Sequence, residues 1–138
     1  MKPFQVVEHT SEIGLEIRGK DLDSLFLNAA QGLMALYDRR GKVRGEEEVS
    51  VRVRSSSAEA LLVHWLSELV YLVQTKRWLF ADIEFSRLQE TSLTAVLRGE
   101  PIREGVHHIG REIKAVTYHD LAIVRDKDAL RANVLFDV

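Results

Sequence analysis

Carboxylates, histidines and a lysine gather in three short stretches of this 138-residue chain. The first is Glu8-His9-Thr10-Ser11-Glu12-Ile13-Gly14. The second is Glu112-Ile113-Lys114-Ala115-Val116-Thr117-Tyr118-His119, and the third is the terminal Val134-Leu135-Phe136-Asp137-Val138. Two kinds of chemistry suit such residues. Carboxylate oxygens hold hard cations, calcium or magnesium, in preference to zinc. A glutamate beside a histidine serves proton transfer, here Glu12 with His9 or His119, provided folding brings both into one pocket with matched pKa values. No spacing in the sequence shows that convergence. Alternation along the third stretch puts Val134, Phe136 and Val138 on one strand face and Asp137 on the other, with Val138 expected to carry the free α-carboxylate.

Other polar residues invite plainer readings. His107 and His108 are neighbours, so on a strand they face opposite ways and cannot chelate one ion together. In a glycine-rich segment they are expected to be solvated. His64 flanks Trp65 and reads as a packed or surface histidine. Arg52 and Arg54 share a strand face and can reach phosphate, although such a pair is more often a solvated face. Cysteine is absent, which removes disulfides, thiolate metal sites and cysteine nucleophiles. The chain also lacks a Gly-rich phosphate loop, a G-x-S-x-G elbow, H-E-x-x-H and the EF-hand spacing.

These residues must be positioned by a run of short elements. An apolar strand (Phe4, Val6, Val7) precedes another with Leu15 and Ile17 inward and Glu16 and Arg18 outward. Asp21 caps a helix striped by Leu22, Leu25, Phe26, Ala29, Leu33, Leu36 and Tyr37, ending at Arg39-Arg40-Gly41. Val49, Val51 and Val53 alternate with arginines as a half-buried strand. Ser56-x-x-Glu59 reads as a capping box opening a central helix striped by Leu61, Leu62, Trp65, Leu66, Leu69, Val70 and Val73. A hairpin over about Leu79–Arg87 and Leu93–Arg98 follows, then an irregular loop over Gly99–Gly110. Strands are expected around Ile113–Tyr118, Leu121–Val124 and Leu130–Asp137. This order predicts an α+β fold, with helices on one side of a mostly antiparallel sheet.

Composition narrows the classes further. Hydrophobic residues make up 46% and charged residues 29%, as in an ordinary globular domain, and the length suits one domain over residues 1–138. A formal charge of −2 argues against a protein built mainly to hold nucleic acid, while leaving room for a local basic patch. No segment is long and apolar enough to span a bilayer and the start has no signal-peptide h-region, so the expected location is cytoplasmic.

Four motifs in register then point one way. His9-Thr10-x-Glu12-Ile13-Gly14, Leu61-Leu62-x-x-Trp65-Leu66-x-Glu68-Leu69, Lys114-Ala115-Val116-Thr117-Tyr118-His119 and the final Phe136-Asp137-Val138 together resemble the archease family from first strand to last residue. The resemblance implies an α+β fold with a smaller inserted β region. It also implies an accessory role: archeases promote guanylation and repeated turnover of the GTP-dependent RNA ligase that joins 3′-phosphate to 5′-hydroxyl ends in tRNA splicing. The ligase does the chemistry, so no catalytic residue is expected here, and RNA is met only indirectly or transiently. By the same resemblance calcium is the expected cofactor, held by Glu12, Asp137 and the Val138 carboxylate, with Lys114, Glu12 and Asp137 serving ligase activation. Glu12 stands where many relatives have aspartate, one carbon–carbon bond shorter, about 1.5 Å. Ser57 stands where relatives often have an acidic residue, and Ser55-Ser56-Ser57 is read as capping only.

The residues by themselves add modest support. Three carboxylates brought together repel unless a cation neutralises them. The alternative is that they lie apart and solvated. Two rival functions stay open: an RNA-binding or chaperone-like module without ligase specificity, and a hydrolase built on Glu12 with His9 or His119.

Overall fold

Alternating apolar residues and two amphipathic stripes close around one core shared by two sheets. The computed structural model describes residues 2–8, 11–37, 41–118 and 120–138. In chain order the elements are β1 (Phe4–Glu8), β2 (Glu12–Gly19), α1 (Leu22–Leu36), β3 (Glu47–Arg54), α2 (Ala58–Gln74), β4 (Trp78–Leu88), β5 (Ser92–Pro101), β6 (Ala115–Thr117), β7 (Ile123–Asp126) and β8 (Ala129–Asp137). The larger sheet runs β1-β2-β8-β6, with β7 also on β8, and the smaller one runs β3-β5-β4. Each pairing among the described residues is antiparallel. The expected α+β class holds, with the three-stranded sheet as the smaller β region rather than a continuation of one sheet.

The period-2 pattern fixes which face is buried. Ile13, Leu15 and Ile17 of β2 lie opposite Phe136, Val134 and Ala132 of β8, and all six are buried. The stripes of α1 and α2 cover this face, as their 3.6-residue spacing requires. From the other side come Val51, Val53, Leu93, Ala95 and Leu97 of the small sheet. Trp65 sits fully buried at the centre. Its Nε1–H donates to the Phe26 carbonyl at 3.1 Å, so the indole's one polar atom is satisfied, and its ring meets Phe85 at 5.3 Å between centroids.

Local chemistry sets several boundaries differently from the sequence expectation. The N-cap of α2 is Ser57, not Ser56: the Ser57 hydroxyl accepts from the Ala60 N–H at 3.1 Å. Glu59 does not close a capping box but reaches across to accept from the Ile123 N–H at 3.1 Å. For α1, Asp21 caps as expected, with Ser24 completing the reciprocal pair. Arg39 and Arg40 lie outside the described residues, while Gly41 takes φ 95, the left-handed conformation open to glycine. Gly99, Glu100 and Pro101 belong to β5 rather than to the following loop. Gly99 is needed there, because a Cβ would run into the Leu79 carbonyl. The expected strand over Ile113–Tyr118 pairs only at Ala115–Thr117, and the next one lies at Ile123–Asp126.

Candidate functional site

Strands from an early part and from the last part of the sequence meet at one end of the larger sheet. β2 begins at Glu12 where β8 finishes at Asp137, and register sets these two residues opposite each other. Asp137 lies in turn opposite Ala115, the first residue of β6. The Lys114 N–H donates to the Asp137 carbonyl at 2.8 Å, and the Val138 N–H points to the Ser11 carbonyl at 3.4 Å. Glu12, Lys114, Asp137 and Val138 are therefore brought together. Their neighbours Ile13 and Phe136 point into the core, so Glu12 and Asp137 project from the opposite face, each half-buried.

Like charges directly opposite on paired strands destabilise a sheet by roughly 0.2–1 kcal/mol, and a bound cation removes that repulsion. Among the described residues all available donors are oxygens, which fits a hard ion. Among the described residues no three His, Cys, Asp or Glu side chains cluster as a metal site. An ion here would draw on the two side-chain carboxylates, backbone carbonyls and water.

The segment leading to Lys114 is fixed by packing and by one side-chain bond. Ile113 is fully buried, and its N–H donates to Gln74 Oε1 at 2.5 Å. Lys114 itself is exposed. It lines a recess of about 350 Å³ between α2 and β6 with Ser67, Val70, Tyr71, Gln74 and Val116. Sharing that recess with Val116 agrees with the expected alternation, and it puts Lys114 on the helix side of the sheet, away from the outward face of Glu12 and Asp137. No carboxylate of the described residues pairs with it. His9, Thr10 and His119, two of them the acid–base partners weighed for Glu12, lie outside the described residues.

His107 departs from expectation. It is buried rather than solvated. Its Nδ1 accepts from the Arg103 N–H at 3.0 Å, which leaves Nε2 to donate, with the Lys42 carbonyl at 3.1 Å and Glu100 Oε2 at 3.3 Å. Glu100, also buried, accepts from the Arg44 N–H at 2.6 Å. That backbone bond holds its carboxyl below the usual carboxylate range, with the charge of Arg103 and the bond from His107 Nε2 adding to it. The pair clips residues 42–44 to the segment after β5 and is structural. The sequence hid it because Glu100 sits between a glycine and a proline, where no periodicity marks burial. His108 is exposed, as is His64, whose Nδ1 lies 3.2 Å from the Ser55 hydroxyl. Arg52 and Arg54 are exposed on the small sheet.

A two-sheet α+β domain with Glu12 and Asp137 paired at one corner defines the class. The family model for the archease protein family (MTH1598/TM1083) matches residues 4–138. An archease of Methanosarcina acetivorans is 35% identical over 99% of this chain and 97% of its own length. That of Methanothermobacter thermautotrophicus is 31% identical over the whole of both. The solution structure of Methanobacterium thermoautotrophicum protein 1598 superposes with a TM-score of 0.75 at 30% identity, covering all of both chains. The crystal structure of a Thermotoga maritima archease, described as a possible chaperone, gives 0.68 at 26% identity over 96% of this chain and 94% of its own. This chain belongs to the archease family. Among its described residues no helix is long and apolar enough to cross a membrane.

Proposed function

We propose that this protein activates a GTP-dependent RNA ligase in tRNA splicing and RNA repair, in the cytoplasm, without joining RNA itself. The observation that carries the reading is the convergence of Glu12, Lys114, Asp137 and Val138, from opposite ends of the chain, on one end of one sheet. A scaffold needs no such gathering of carboxylates, and a ligand site does. Calcium, when bound there, supplies the positive charge that offsets Glu12 against Asp137. The chain's own part is to hold the two side chains opposite each other by strand register and to bring Val138 beside Ser11. Lys114, exposed at the neighbouring recess and paired with no carboxylate among the described residues, then reaches a partner as a point charge.

Ion binding stabilises the native state by mass action, so calcium raises the melting temperature of the wild-type protein and a chelator lowers it. Asp137→Ala removes that difference, and a C-terminal tag, which turns the Val138 carboxylate into an amide, weakens it. A calcium shift that survives both changes puts the ion elsewhere. The chaperone-like reading attached to the Thermotoga relative is separated by substrate: a general chaperone protects unrelated unfolding proteins, whereas this protein acts on its ligase alone.

A further inference from the structure

Charge on the open face of the small sheet is sorted along the strands. At one end Arg98 of β5 lies 3.3 Å from Glu48 of β3 and 3.4 Å from Glu84 of β4, so that cation is neutralised from both sides. At the other end Arg52 of β3, Thr94 of β5 and Arg87 of β4 stand in line across the three strands, and Arg54 lies opposite Ser92 one step on. All three arginines are exposed. Among the described residues no carboxylate pairs with Arg52, Arg54 or Arg87. Arg87 donates to the neutral Gln89 amide oxygen at 3.1 Å. With Ser92 and Thr94 they border a recess of about 280 Å³.

We propose that this end of the small sheet holds the sugar–phosphate backbone of single-stranded RNA. Guanidinium groups bind phosphate oxygens through paired donors, and hydroxyls from Ser92 and Thr94 add further ones. Two residues along a strand separate Arg52 from Arg54 by about 6.8 Å, and two strand spacings separate Arg52 from Arg87 by about 9.6 Å. The patch therefore spans more than one phosphate. An acidic protein segment offers similar charge, but protein interfaces are anchored by buried aromatic or aliphatic residues. No such anchor stands here: the exposed large hydrophobic residues described, Val6, Val7, Tyr71, Val106, Tyr118 and Val124, belong to other elements. The missing aromatic platform also means that bases are not stacked, so binding is independent of sequence. In a chain of net charge −2 the contact is local and weak, suited to a transient hold. It does not depend on the ligase reading.

The test is fluorescence anisotropy of the full chain with a labelled oligouridylate at several salt concentrations, alongside a poly-glutamate peptide of equal length. Wild type binds the RNA and not the peptide. Arg52→Gln/Arg54→Gln/Arg87→Gln keeps its circular dichroism and melting temperature, yet loses at least about tenfold in affinity, and the salt slope falls by about 0.7 per arginine removed. Arg98→Gln, on the same face but already ion-paired, binds as wild type. Equal RNA binding by the triple variant, preference for the peptide, or no binding of RNA by wild type overturns the proposal.

Discussion

Lys114 is where folding and function separate most cleanly. Its side chain is exposed and has no described ion-pair partner, while its backbone N–H is committed to Asp137. Truncation leaves that backbone bond intact and removes no core volume, so Lys114→Ala and Lys114→Met should each change stability by under about 1 kcal/mol. Stimulation of ligase guanylation should nonetheless collapse in both, even with calcium present. Guanylation at the wild-type rate in both variants, with unchanged melting temperatures, would reduce Lys114 to a surface lysine lying along the recess. Glu12 belongs to the other face of the sheet, where its proposed role is to hold the ion with Asp137.

Among the elements, α2 carries the site's geometry. Its last turn supplies Gln74, which fixes Ile113, and its side wall forms the Lys114 recess. Its first turn is capped by Ser57 through the Ala60 N–H. Ser57→Ala should therefore cost about 1 kcal/mol, while Ser56→Ala, which removes an exposed hydroxyl outside the cap, should cost little. Chemical denaturation of the two variants decides it, and an inverted order would move the cap back to Ser56. The stripes of both helices and the alternation of Ile13, Leu15 and Ile17 were legible in the sequence because burial repeats with the element's own period. The one-residue slip at the cap was not, since three consecutive serines offer the same oxygen and only the chain's entry angle chooses among them. The Glu100–His107 clip was also illegible, because Glu100 breaks the alternation at the end of β5 and His107 lies in an irregular segment where no period operates.

At the scale of the molecule, two sheets share one core yet present different open surfaces. The larger sheet gathers the acidic corner, and the smaller one carries arginines that no described carboxylate neutralises. Motif resemblance named Glu12, Asp137 and Val138 as one site, and strand register then supplied the reason they can meet: β2 and β8, the second and the last strands of the main sheet in chain order, are neighbours. Periodicity alone does not reveal such a pairing, because antiparallel partners far apart in sequence leave no local mark. The same arrangement joins the corner to Lys114 through β6, so a single end of the protein combines the Glu12–Asp137 carboxylate pair with a lysine that has no carboxylate partner among the described residues. The central claim is that this end serves an RNA ligase. Its most direct test is joining of 3′-phosphate to 5′-hydroxyl RNA ends by the cognate ligase with RNA in excess, with and without this protein. The expected result is many turnovers per ligase when the protein is added, about one or fewer without it, and no joining by the protein alone. Turnover by the ligase that is unchanged at equimolar protein would contradict the account.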